Sequence, residues 1–401
     1  MGTSVVPGFD PVTLFASESA LGTAPTPANV AAYAALALPT QKVDLGPVQA
    51  PVVRPKQDRG LGRGMQDGFV SGRYEPVPWN VMMSLMSRSA NDADPREVAL
   101  FKAAGLKKTT NAGVSTVYAP SATPEASGDF VSATLTRLMG RSPGEMEYER
   151  LTGCLVDTLR IEGGDKEVTL NWSGVGQQKV VGTALASITL ASGVVTTMTV
   201  TAAESYALAP GYYICESEII LVSAPTYGGT SVTIARAQLG TTGVAHTAQP
   251  LYPYIPSGVS YSGSPISEAL TTNVTLDDDS TFRCLSWSID IKTGLAPLPG
   301  ETGSAYFQGV KATRYDVAPS FTFLLKGNDV RKFNKARERT SLAFSVSQGT
   351  SAGGIITITF PYAELVAPKA DDSANDTVTV QASLRVRDNA AGNNAFSITL
   401  T

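Results

Sequence analysis

From about residue 113 onward, apolar and polar side chains alternate with a period of two, the pattern of a strand that buries one face and wets the other. In 284–291, Leu285, Trp287, Ile289 and Ile291 fall on one face, and Ser286, Ser288 and Asp290 fall on the other. The same alternation runs through 168–172, 320–325, 356–360 and 377–386. In the last of these, Val378, Val380, Leu384 and Val386 are assigned inward and Thr379, Gln381, Ser383 and Arg385 outward. Turn clusters at 162–165 and 349–354 separate such runs, and 154–161 with 168–175 reads as a hairpin. The expected fold class is mainly β: an antiparallel β-sandwich or barrel with a few short flanking helices.

The N-terminal region breaks this pattern. Pro7, Pro11, Pro25, Pro27, Pro39, Pro47, Pro51 and Pro55 recur too often for a helix or a central strand, so residues 1–75 read as an irregular extended arm and loop. Only 29–38 suits a short helix. The glycine-rich stretch 60–68 has no Gly-Lys-Ser/Thr ending and follows no apolar strand, so it reads as a loop and not a phosphate cradle. Two helical segments follow. In 79–88, Trp79, Met82, Met83 and Met86 fall at helical spacing, a stripe read as core filling. In the second, Asp94-Pro95-Arg96-Glu97 supplies a start, Val98, Leu100, Phe101 and Ala104 an apolar face, and Gly105 a stop. A later helix over 330–339 is the most basic local feature. Its Arg331, Lys335 and Arg339 suit either solvent or a salt-bridging face towards another subunit.

Residues 181–257 read as a small β-module inserted into a body formed by 76–180 and 258–401. The stretch has its own strands at 187–190, 195–200, 212–222 and 230–234, few charges, and Gly182 and Pro250, Pro253 and Pro256 near its bounds.

Composition narrows the chemistry. Only 16% of the 401 residues are charged, against about 25% in typical domains, and the net charge is −4. A groove built to grip phosphate needs clustered Lys and Arg, so tight nucleic-acid binding is not expected. No basic stretch precedes an apolar one in the way of a secretory leader, and the longest apolar run, 30–38, is about half the ~20 residues that cross a bilayer, so no membrane association is expected. Cys154, Cys215 and Cys284 are widely spaced in apolar contexts and read as core thiols. The single histidine, His246, lies in a turn-like stretch without a nucleophile elbow, and Asp277-Asp278-Asp279 lacks a calcium-loop pattern. No catalytic residue, cofactor site or metal site is assigned, and no enzyme activity is expected.

The order of features resembles the tail tube proteins of long-tailed bacteriophages. The resemblance rests on Glu18-Ser-Ala-Leu-Gly-Thr-Ala24, the loop with Arg73-Tyr-Glu, and the helix ending Leu100-Phe-Lys-Ala-Ala-Gly105. It continues through Gly153-Cys-Leu-Val-Asp-Thr-Leu-Arg-Ile161, Leu285-Ser-Trp-Ser-Ile-Asp-Ile291 and the basic helix before the last strands. It covers 1–180 and 258–401. The stretch Arg236-Ala-Gln-Leu-Gly-Thr-Thr242 with His246 resembles a small β-module that recurs in phage structural proteins.

The resemblance implies a virion protein, made in the bacterial host cytoplasm, whose β-sandwich subunits form a homo-oligomeric ring. Such rings are commonly hexameric, join other tail proteins, and stack into a tube through which double-stranded DNA passes at genome ejection. It places Arg73, with the arm, among inter-subunit contacts beside Arg331, Lys335 and Arg339. A neutral or mildly acidic wall lets DNA slide, so Ser286, Ser288 and Asp290 are the lumen-facing candidates, and the module is expected on the outside of the tube. A second expectation, of another class, is a tail-tip or baseplate protein whose module recognises host surface or glycan through Tyr206, Tyr212, Tyr213, Tyr227, Tyr252 and Tyr254.

Overall fold

The period-two segments form antiparallel sheets, and helices are few and short, so the chain is mainly β. The computed structural model describes residues 12–401 apart from 49–51, 54–68, 71–73, 141–145, 257–258, 260, 262, 267–272, 277–278, 283, 301–303, 325–333, 335–337, 340, 372–378 and 389–394. Two compact units are present. The first is built from Met1–Pro39, Ala133–Cys154 and Gly176–Tyr261, the second from Thr40–Ser132, Leu155–Val175 and Ser262–Thr401. The strand Glu147–Gly164 gives its first half to one and its second half to the other.

In the first unit, Val12–Ser17 pairs with Ala133–Met139, which pairs in turn with the start of Glu147–Gly164. The six strands Leu185–Leu190, His246–Pro253, Gly211–Cys215, Glu218–Pro225, Ser231–Ala235 and Thr197–Thr199 follow one another in that order as a near-closed barrel. Tyr213, Cys215, Ile220, Val222, Val232 and Leu251 fill its inside. The alternate residues Tyr212 and Ile219 pack outward into a second cluster with Leu14, Tyr33, Leu138 and Tyr148. Tyr33 sits on the short helix Val30–Ala34, which starts where the Asn29 side chain accepts the Ala32 N–H at 2.8 Å.

In the second unit, one ladder runs from Thr40–Leu45 through Val77–Ser84, Thr169–Gly176, the end of Glu147–Gly164, Cys284–Lys292, Asp316–Leu324 and Thr379–Val386 to the later half of Ile356–Asp371. The early half of Ile356–Asp371 belongs to another ladder. It pairs with Ser397–Leu400, which continues to Ser115–Pro120 and Leu106–Asn111, and with Leu342–Gln348, which continues to Asn273–Leu276. Aromatic rings join the ladders: Phe321 stacks on Phe344 at 5.2 Å, and Phe101 meets Tyr118 at 4.2 Å and Trp172 at 5.0 Å. Gly174 permits close approach within the first ladder, because a Cβ there would lie 1.9 Å from the Leu155 carbonyl oxygen.

Several expectations need correction. The stretch 79–88 is not a helix. Val77–Ser84 is a strand whose Val77, Trp79, Val81 and Met83 are buried, a period-two set that reading only the Trp79 and Met positions overlooks. The N-terminal region is not irregular throughout, since Val12–Ser17 and Thr40–Leu45, which lie between its prolines, are strands. The run 212–222 is a hairpin, turning at Glu216 in the left-handed region (φ 54°). Leu285 is exposed because a register shift after Cys284 gives the inward place to the cysteine. The second helix is present as Val98–Ala103, without a side-chain cap, and Gly105 ends it at φ 69°. All three cysteines are buried free thiols.

Candidate functional site

Two places gather polar side chains with defined geometry. The first is the outward face of the ladder around Cys284–Lys292. Antiparallel register sets Ser286 opposite Gly164 and Thr322, Ser288 opposite Glu162 and Ser320, and Asp290 opposite Arg160 and Ala318. The inward neighbours Trp287, Ile289 and Ile291 are buried, so alternation leaves these three candidates facing out. Ser288 and Ser320 share a hydroxyl hydrogen bond at 3.2 Å. Arg160 Nε donates to Glu162 at 2.5 Å and lies 3.6 Å from Asp290. One guanidinium thus stands against two carboxylates. A recess of about 550 Å³ opens on this face, lined by Arg160, Glu162, Glu167, Ser286, Ser288 and Thr322 among others. The cations that line the recess, Arg160 and Lys166, are outnumbered by the carboxylates Glu162, Asp165 and Glu167, so this hydroxyl-rich wall offers a polyanion no cluster of cations.

Gln348 supports that face from beneath. Its Oε1 accepts the Gly164 N–H at 3.0 Å and the Trp287 indole N–H at 3.1 Å, and its Nε2 donates to the Lys166 carbonyl at 2.8 Å. A fully buried amide satisfied on both ends ties the loop after Gly164 to the inside of the ladder.

The second place is inside the first unit and centres on Glu218. This carboxylate is fully buried and accepts two hydrogen bonds from Arg236, at 2.7 and 2.6 Å. It also accepts from the backbone N–H groups of Ala237 at 2.9 Å and Val244 at 3.2 Å. His246 Nε2 lies 2.8 Å from it, and His246 Nδ1 lies 2.9 Å from Glu216. Burial pushes the Glu218 carboxyl up, but the hydrogen bonds from Arg236, Ala237, His246 and Val244 outweigh it and hold the group at about 2. Arg236 also donates to the carbonyls of Ser192 and Val244. The cluster therefore fastens three loops together, and the bond from the Ala237 N–H to Glu218 holds that residue in the left-handed region (φ 55°).

His246 is not in a turn: it opens the strand His246–Pro253 and is 1% exposed. Both of its ring nitrogens face carboxylate oxygens. The sequence shows Arg236 and His246 only as neighbours of a loop motif. Their partner Glu218 lies 18 residues before the arginine and 28 before the histidine, so spacing alone does not reveal it. Glu18 was likewise visible only as part of a motif. Its carboxylate accepts from the Gly22 N–H at 2.8 Å, the Thr134 hydroxyl at 2.7 Å and the Gly153 N–H at 2.8 Å.

Arg73, Arg331 and Lys335 lie outside the described residues, as does most of the expected helix 330–339. Arg339 is exposed, with a left-handed backbone (φ 55°). Among the described residues no group of three or more His, Cys, Asp and Glu is placed to hold a metal, and no helix is long and apolar enough to cross a membrane. The chain matches no known family model and no curated protein.

Proposed function

We propose that this chain is a structural subunit of a bacteriophage tail tube, folded as an antiparallel β-sandwich that carries 181–257 as an inserted β-module. In this reading, subunits close into rings, most simply hexamers, that stack into a conduit for double-stranded DNA. The protein works by assembling, without catalysis or cofactor, and Arg73, Arg331, Lys335 and Arg339 serve contacts between subunits. The observation that carries the reading is the outward face of Ser286, Ser288 and Asp290, rich in hydroxyls and with Arg160 set against the carboxylates of Glu162 and Asp290. Such a face suits a channel wall, because clustered Lys and Arg would grip phosphates and brake a moving duplex, whereas here Arg160 and Lys166 stand among the carboxylates Glu162, Asp165 and Glu167. The aromatic contact of Phe321 with Phe344 supports the sandwich.

Negative-stain microscopy of the purified full chain tests this. Rings with a central channel, or tubes of stacked rings, are the expected result. Monodisperse monomers across protein concentration and salt would sink the proposal.

A second reading, recognition at a tail tip, keeps one observation in its favour. Tyr206 and Tyr227 are 65% and 51% exposed and stack at 5.8 Å with planes 15° apart. Tyr212, Tyr213 and Tyr254 are buried and Tyr252 is half-buried, so they present no open ring face to a ligand. The reading therefore rests on the exposed pair, whose outer ring faces suit the apolar face of a sugar. It predicts glycan-array binding by the full chain that falls at least tenfold in Tyr206→Ala with Tyr227→Ala. A silent array with the unaltered chain removes this reading and leaves the tube proposal untouched.

A further inference from the structure

Around the start of the helix Val98–Ala103, three side chains carry buried polar atoms without a hydrogen-bond partner among the described residues: Arg88 Nη2, Glu97 Oε1 and the Tyr118 hydroxyl. Glu97 is 1% exposed and Tyr118 fully buried. Hydrogen bonds bring their segments together: Arg88 reaches Ala93, four residues before Glu97, and the Thr116 hydroxyl, two residues before Tyr118, donates to the Asp92 carbonyl at 3.2 Å. The chain holds them together. The Phe101 N–H donates to the Glu97 carbonyl at 3.1 Å, and the Phe101 ring stacks on Tyr118 at 4.2 Å. Arg88 donates through Nη1 to the Ala93 carbonyl at 2.8 Å, and its backbone N–H donates to the Gly353 carbonyl at 2.6 Å.

Buried polar atoms are rarely left unpaired, because each one forfeits its bonds to water on folding and gains nothing in return. We propose that Arg88, Glu97 and Tyr118 together bind an internal water molecule. It accepts from Arg88 Nη2, donates to Glu97 Oε1, and makes its third bond with the Tyr118 hydroxyl, which serves as donor or acceptor. Three hydrogen bonds to otherwise unsatisfied groups is the usual complement of a buried water. The mixture of groups selects this ligand. A metal cation is repelled by the guanidinium and an anion by the carboxylate, whereas water offers both donors and acceptors without charge. Burial pushes the Glu97 carboxyl up to about 7, and a donor placed at Oε1 opposes that push. The water thereby links the segment ahead of the helix to the strand Ser115–Pro120, and this inference stands apart from the tube proposal.

A crystal structure of the full chain at a resolution that orders internal water is the direct test. The expected result is a density peak within about 3.2 Å of all three atoms. A dry space, or direct pairing of Arg88 with Glu97, overturns the inference. Oxygen-17 relaxation dispersion tests it in solution. Tyr118→Phe, which removes one bond and keeps the ring, should shorten the residence time of one long-lived water about tenfold. Glu97→Gln keeps an acceptor and should retain it. An unchanged dispersion profile in Tyr118→Phe also overturns the inference.

Discussion

Glu218→Ala is expected to destabilise the first unit by roughly 3–5 kcal/mol, the usual cost of removing one partner from a buried ion pair. The Glu218 and Arg236 side chains are 0% and 4% exposed, so water cannot replace the lost carboxylate without opening the loops. Alanine leaves the guanidinium buried and uncompensated, orphans the Ala237 and Val244 N–H groups, and removes the contact to His246 Nε2. It also releases the left-handed Ala237, whose strain its bond to Glu218 offsets. Urea unfolding followed by the fluorescence of the module tyrosines reads the loss. Arg236→Met combined with Glu218→Ala should recover part of it, because the unpaired charge is then gone. A loss below about 1 kcal/mol in Glu218→Ala would mean that the loops are held by something else.

The same residue sets a pH dependence. In the folded chain the Glu218 carboxyl titrates at about 2, below its ordinary 4.5. The unfolded chain therefore binds the proton more readily, so this contribution is fully present above about pH 4.5 and is lost as pH falls towards 2. Glu218→Gln, which cannot ionise, should remove that part of the acid sensitivity while remaining less stable than the native chain at neutral pH.

What the sequence shows of this fold follows the range of the interactions involved. Period-two patterning is local, so the strands over 169–172, 284–291, 356–360 and 379–386 are legible, residues 377 and 378 of the last run lying outside the described residues, and so is the helix stopped at Gly105. The methionines of Val77–Ser84 happen to fit a helical stripe, while the pairing of this strand with Thr40–Leu45 decides its form from more than thirty residues away. The turn at Glu216-Ser217 carries no Asn-Gly or Asp-Gly signal. It is held by the bond from Glu216 to His246, which sequence reading cannot see. The candidate face is legible in part. Alternation identifies Ser286, Ser288 and Asp290 as outward, but Arg160, which faces the Asp290 carboxylate, and Glu162, which shares that guanidinium, come from a strand more than a hundred residues earlier. Gln348 and Glu18 escape for the same reason, since neither Ser347-Gln-Gly349 nor Ser17-Glu-Ser19 gives a hint of the three bonds each side chain makes across the chain.

Trp172→Ala is expected to cost the second unit about 3–5 kcal/mol, the range for truncating a large aromatic in a packed core. Trp172 is fully buried, and its ring meets the edge of Phe101 at 5.0 Å with planes 84° apart. Phe101 in turn stacks on Tyr118, so the tryptophan closes a chain of rings that joins the strand Thr169–Gly176 to the strand Ser115–Pro120 through the helix. Truncation leaves a void that neighbours pinned by sheet hydrogen bonds cannot collapse to fill. Trp172→Phe separates packing from polarity. The indole N–H has no partner among the described residues, so phenylalanine gives up no hydrogen bond within them and sheds a buried unpaired donor. Its cost should be clearly smaller than that of alanine, because it leaves the smaller cavity. Chemical denaturation of the two variants beside the native chain decides the point. Equal losses in both would show that the site depends on the indole nitrogen and not on filled volume, and a small loss in Trp172→Ala would show that this ring contact does not hold the ladders together.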